Sequence, residues 1–191
     1  MRSNSSVINV YKKNNIKSEV VTQLLYGDTF KKIKKKGPWI KIKNDLDHYK
    51  GFIKNKKFPP NQKDTHKIYK LYANLYSKPS LKSKIRKKLS FGSKIKVTKK
   101  KNNFCKFDNL WIKKRDLKKI NYKTKNIFKN INQFKNIKYK WGGKHFSGVD
   151  CSGLVQLFFN FNNKFCHRDT KDQIRYFKKK IELKNIRKND L

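Results

Sequence analysis

The sequence predicts an α+β chain: two small β-barrels in tandem, followed by a mainly helical region. Three observations predict it. An internal repeat runs through the first two thirds, paired prolines interrupt it, and a glycine-rich approach leads into an apolar run after Cys151. Leu24, Tyr26-Gly27, Phe30, Trp39 and Ile42 recur at one constant offset as Leu89, Phe91-Gly92, Ile95, Phe104 and Phe107. Downstream the second copy is shorter, and Phe52-Ile53 and Phe58 match Trp111-Ile112 and Leu117.

Each copy reads as short strands separated by turns, the pattern of a small barrel. In the first, Phe30 to Ile33 and Trp39 to Lys43 flank a basic turn containing Gly37-Pro38, and Gly51 to Lys54 closes the unit. Leu110 to Lys113 closes the second. Pro59-Pro60 resists both helix and central strand and marks a boundary. The units are therefore 1–58 and 66–121, with a linker over 59–65 and a third region over 122–191. Ile127, Ile131 and Phe134 fall at helical spacing and predict a helix within 122–134. Leu154 to Phe161 is too apolar for an exposed face and predicts a buried helix.

Composition narrows the function classes. The 191 residues carry a formal charge of +40, and aromatics at 14% exclude wholesale disorder. Such charge first suggests nucleic acid. Yet only six of the 52 basic residues are Arg, the side chain that grips phosphate bidentately, and the lysines spread along the whole chain. The charge is read as a solvated surface with no specific nucleic-acid role. No apolar run is long enough to span a membrane. Met1-Arg2 is followed by polar Ser and Asn without a signal-peptide core, so the expected compartment is cytoplasmic, with cell-wall association as the alternative. Three cysteines make no disulfide framework.

Cys151 stands out among them. Gly142, Gly143 and Gly148 precede it and permit a tight turn, and the apolar run follows, placing Cys151 in the first turn of a helix. The positive end of a helix favours thiolate over thiol, and a thiolate is the nucleophile of covalent catalysis. The competing reading is a small buried core residue, which fits Cys105 in its strand. Cys166-His167 lacks the ligand spacing of a metal site. No metal and no cofactor is expected.

The residues Tyr139-Lys140-Trp141-Gly142-Gly143 and Gly148-Val149-Asp150-Cys151-Ser152-Gly153-Leu154-Val155 resemble the motif of the NlpC/p60 cell-wall cysteine peptidases. His167-Arg168-Asp169-Thr170-Lys171-Asp172-Gln173 is similar to a second stretch of that family, with His167 in place of proline. Thr22 to Gly27 resembles the first of two bacterial SH3-like domains that precede the peptidase domain in one subgroup. The resemblance implies the N-terminal, helical part of a papain-like peptidase domain. It implies hydrolysis of γ-D-glutamyl-diamino acid bonds in peptidoglycan peptides. Cys151 would be the nucleophile and Tyr139 would assist the oxyanion. Asp150 and Ser152 would bind the substrate's terminal amine, and Tyr49 would cap the cleft from the first barrel. The alternative for Tyr49 is an ordinary barrel aromatic.

The family's base is a histidine on a strand beyond a Gly-Asp-Leu turn. Asn189-Asp190-Leu191 resembles that turn, so the base and most of the domain's sheet are expected to be missing from a truncated chain. None of His48, His66, His145 and His167 matches the base position. The expectation is a peptidase by lineage with negligible hydrolysis. The rivals are a cell-wall binding module with a catalytic remnant and, behind it, a basic nucleic-acid binder. Without its sheet, the face made by Leu154, Val155, Leu157, Phe158 and Phe159 is expected to lack cover. Oligomeric state is not legible.

Overall fold

The computed structural model describes residues 1–178 and 181–187. The first five strands are β1 (Val7–Tyr11), β2 (Val20–Leu25), β3 (Phe30–Lys36), β4 (Trp39–Asn44) and β5 (Lys50–Lys54). They form one antiparallel sheet in the order β2-β1-β5-β4-β3. The β3–β4 turn is Gly37-Pro38, with Lys36 paired to Trp39. Gly37 has φ +54°, the conformation that a two-residue hairpin requires at its first position. Ile33 lies at a bulge in β3 and is 49% exposed, so this apolar residue adds nothing to the core.

The repeat returns as structure. Strands β6 (His66–Ile68), β7 (Tyr72–Tyr76), β8 (Ile85–Ser90), β9 (Lys94–Ile95), β10 (Lys99–Lys101), β11 (Phe104–Phe107), β12 (Leu110–Lys113) and β13 (Leu117–Lys119) follow. They divide into a sheet β10-β11-β12-β7-β8 and a smaller one β13-β6-β9. The pairings β1·β2, β1·β5 and β4·β5 recur as β7·β8, β7·β12 and β11·β12. Leu24 and Leu89, Phe30 and Ile95, Ile42 and Phe107, Ile53 and Ile112 are all buried. Leu24, Phe30, Ile42 and Ile53 fill the first core, and their counterparts Leu89, Ile95, Phe107 and Ile112 fill the second.

Two expectations change. The sheets are open: among the described residues no ladder joins β2 to β3, and the second unit splits where the chain turns at Gly92-Ser93. The helix predicted within 122–134 is absent. That stretch is turns ending in a single 3-10 turn, Ile131–Phe134. It is held by two long-range hydrogen bonds and one local asparagine turn. Leu71 N–H donates to Gln133 Oε1 at 2.8 Å, Thr124 N–H to Asn162 Oδ1 at 2.7 Å, and Phe128 N–H to Asn126 Oδ1 at 2.9 Å. Asparagine side chains that bond nearby backbone compete with helix.

Exposed basic residues line three edges of the two five-stranded sheets. In β3 the six residues after Phe30 are exposed and five are Lys; β10 is three exposed lysines; β8 begins with exposed Ile85, Arg86, Lys87 and Lys88. Charge on an edge discourages pairing with another chain. The remaining edge of these two sheets, β2, has no lysine and is covered, with Lys144 N–H donating to Gln23 Oε1 at 2.8 Å.

The rest comprises a ladder of β14 (Lys144–His145) with β15 (Gly148–Val149), then α1 (Cys151–Phe161) and α2 (Thr170–Phe177). Leu157 and Phe158 of α1 are covered after all, packed with Leu25 of the first unit, Phe91 of the second, and Phe134 and Val149. Leu154, Val155 and Phe159 remain half-buried. Lys67 of β6, itself 1% exposed, donates to Tyr122 O at 2.7 Å and to Phe161 O at the C-terminal end of α1. A cation there complements the helix dipole. Among the described residues no helix is long and apolar enough to cross a membrane. The Asn189-Asp190-Leu191 turn lies outside the described residues.

Candidate active site

Cys151 opens α1, and Asp150 is its N-cap, accepting from Gly153 N–H at 2.7 Å. The glycines shape this end of the helix. Gly142 has φ +70°, and a Cβ there would meet Val20 O at 2.1 Å. Gly142 N–H donates to Asp150 Oδ2 at 2.8 Å. The buried Asp150 carboxylate is also gripped by Arg168, through Nη1 at 3.0 Å and Nη2 at 2.6 Å. Arg168 is 2% exposed and also donates to Ser152 Oγ at 2.9 Å and Thr22 Oγ1 at 3.0 Å. Thr22 belongs to β2, so one guanidinium ties the first β unit to the nucleophile helix.

A cleft of about 540 Å³ opens beside Cys151. Tyr49, Tyr139, Asp150, Cys151 and Ser152 all line it, so every candidate read from the sequence is brought to one place. Reasoning from sequence did not single out Glu19, Trp141 or Asp169 on the same walls. Trp141 Nε1–H donates to Glu19 Oε1 at 2.8 Å, and Lys12 sits 3.2 Å from Glu19 Oε2. The Trp141 hydrogen bond, with help from Lys12, holds the Glu19 carboxyl below its usual range. Tyr49 O–H donates to Asp169 Oδ2 at 3.1 Å. Burial, reinforced by the Asp169 charge, pushes the Tyr49 phenol up, so it stays a donor.

The histidines lie elsewhere. All four histidines of residues 1–191 are described, and none lines the cleft. His145 is buried, bonded to Ser147 Oγ at 2.8 Å and Ser6 Oγ at 3.2 Å. His167 packs edge-on against Phe165 and Tyr176, His48 is exposed, and His66 bonds Thr65 Oγ1 at 2.8 Å. Cys166 is 1% exposed, and burial pushes its thiol up to about 11. Among the described residues no cluster of His, Cys, Asp and Glu could hold a metal ion.

Residues 136–191 match the family model of the NlpC/P60 family, and residues 5–57 match that of the bacterial SH3 domain. The C-terminal segment is thus similar to the NlpC/P60 family, and the first β unit to the bacterial SH3 domain. NlpC/P60 is a family of cysteine peptidases and points to a role at the cell wall. A solved NlpC/P60 family protein from Bacillus cereus ATCC 10987 superposes with a TM-score of 0.77 at 19% identity, covering 96% of this chain and 78% of that one. It supports the fold. NlpC2 and NlpC1 of Trichomonas vaginalis, each 18% identical, give TM-scores of 0.39 and 0.37 and carry no argument. They cover 98% of this chain and 74% and 70% of their own. No curated protein matches the sequence.

The three cysteines differ sharply in access. Cys151 is exposed, whereas Cys105 and Cys166 are buried. Iodoacetamide is therefore expected to label one cysteine in the native protein and all three after denaturation, read by intact mass and peptide mapping. Native labelling at Cys105 or Cys166 would contradict the packing described above.

Proposed function

We propose that this chain carries the nucleophile and the substrate cleft of a cysteine peptidase for γ-D-glutamyl-diamino acid bonds in peptidoglycan peptides. The observation that carries the reading is the exposed Cys151 at the N-terminus of α1, inside a cleft rimmed by Tyr49, Glu19 and Asp169. Cys151 attacks the peptide carbonyl, and the first-turn N–H groups of α1 favour the developing oxyanion. Tyr139, 65% exposed on the cleft wall, stands beside them to position the reacting group.

A peptide with a free terminal amine needs an anion in reach. Asp150 already accepts from the Gly142 and Gly153 amides and from Arg168 at both oxygens, and Ser152 Oγ is bonded to the same arginine. These two are assigned to hold the helix terminus, and Glu19, Asp169 and Tyr49 to meet the amine. With no histidine at the cleft, hydrolysis by this chain alone is expected to be negligible. That absence favours peptide binding as what residues 1–191 do unaided.

The test uses the purified chain and L-Ala-γ-D-Glu-diaminopimelate. Calorimetry is expected to show binding that N-acetylation of the peptide removes, with no release of the diamino acid. Absence of binding overturns the substrate reading. Robust turnover that disappears in Cys151→Ser overturns the claim that the base is lacking.

A further inference from the structure

A polar network runs through the interior from the nucleophile helix to the first β unit, outside the cleft. Gln156, on α1, is fully buried. Its Nε2 donates to Asp47 Oδ2 at 2.8 Å and to Cys166 O at 3.0 Å, while its Oε1 accepts from Lys144 Nζ at 3.1 Å. Lys144 is 1% exposed, and Asp47 is 7% exposed. Burying an ammonium and a carboxylate carries a large desolvation cost before pairing offsets it. A fold that needed only stability at this point would be served as well by apolar side chains. The other oxygen of Asp47 accepts from Tyr49 N–H at 3.0 Å. Asp47 thus closes an Asx turn that fixes the backbone of Tyr49, whose hydroxyl reaches Asp169 on the far side of the cleft.

We propose that Asp47 is a positioning residue for Tyr49, and that Gln156 is the link by which the nucleophile helix sets it. One carboxylate joins the two: Oδ1 holds the tyrosine's backbone and Oδ2 is held by α1. The helix that carries the nucleophile and the tyrosine that lines the same cleft are then in register through two hydrogen bonds, although they lie far apart in sequence. The effect on substrate rests on the function proposed above; the effect on the loop does not.

Two measurements separate them. Amide hydrogen exchange at Tyr49 is expected to rise about tenfold or more in Asp47→Ala and, less, in Asp47→Asn and Gln156→Ala, with exchange in β4 and β1 unchanged. Affinity for L-Ala-γ-D-Glu-diaminopimelate is expected to fall about tenfold in Asp47→Asn. In a Tyr49→Phe background Asp47→Asn is expected to add much less than that, because both act on one contact. Equal, additive losses in the two backgrounds would mean Asp47 does not act through Tyr49. Unchanged exchange at Tyr49 in all three variants overturns the proposal outright. If the wild type binds no such peptide, the functional reading fails, and the exchange result alone decides the role of Asp47. Should Asp47→Ala fail to fold, Asp47→Asn and Gln156→Ala carry both measurements.

Discussion

Arg168→Ala is expected to destabilise the protein by about 3–5 kcal/mol, the range for removing one partner of a buried ion pair. The Asp150 carboxylate would keep its amide donors and lose both charged ones, while Thr22 Oγ1 and Ser152 Oγ would each lose a partner. For a chain of this length the loss corresponds to a fall in Tm of roughly 10 °C. Arg168→Lys is expected to recover only part of it, since a single ammonium cannot grip both carboxylate oxygens, Ser152 and Thr22 at once. Urea denaturation of the three proteins checks the order. A loss under about 1 kcal/mol in Arg168→Ala would mean the carboxylate finds water and the pair does not lock the helix terminus.

The second large effect is a loss of stability in mild acid, centred on His145. Burial, with a smaller contribution from Lys140, lowers this imidazole from 6.5 to about 4. The geometry agrees: Ser147 N–H donates to Nδ1 at 3.3 Å, so Nδ1 is an acceptor, and protonating it would set two donors face to face. The folded protein therefore leaves His145 neutral at a pH where the unfolded chain protonates it. Stability rises with pH wherever the unfolded state binds more protons. This contribution is complete above about 6.5 and is lost as pH falls toward about 4. It amounts to about 3 kcal/mol across that window. His145→Gln is expected to be less stable at neutral pH but to show a flatter profile from pH 6.5 to 4. An unchanged slope would assign the acid sensitivity to the carboxylates. Because His145 also bonds Ser6 of the first unit, acid loosens the junction that leads to Cys151.

The parts of this molecule that were legible in its sequence share one trait: their pattern is local. The repeat could be read because the same apolar positions fill both cores, from Leu24 and Leu89 to Ile53 and Ile112. Cys151 could be read because glycines, an N-cap and an apolar run lie within a few residues of it. The stretch from Tyr122 to Phe134 misled, since apolar spacing suited a helix while asparagine side chains and distant partners held turns. Glu19 and Asp47 were not legible because the fold brings them toward the site from remote segments without any spacing rule, and Asp169, although it stood in the second motif stretch, was given no role. Arg168 carried a fainter signal. In a chain so biased to lysine, an arginine that persists marks a place where a planar fork is needed. Two of the six, Arg2 and Arg168, are buried and each is paired with an aspartate.

The core around Phe91 bears on how this protein can be taken apart. Leu25, Phe91, Phe134, Val149, Leu157, Phe158 and Phe161 pack as one cluster, although they belong to three successive stretches of chain. A cut that looks natural in the sequence, after the second β unit, runs through the middle of that cluster and strips Phe91 of its ring partners Phe134, Phe158 and Phe161. Segments that resemble interchangeable modules therefore share an interior, and neither side of such a cut retains a closed surface of its own. Transplanting either half into another protein would mean supplying a new apolar cover for the half that is moved.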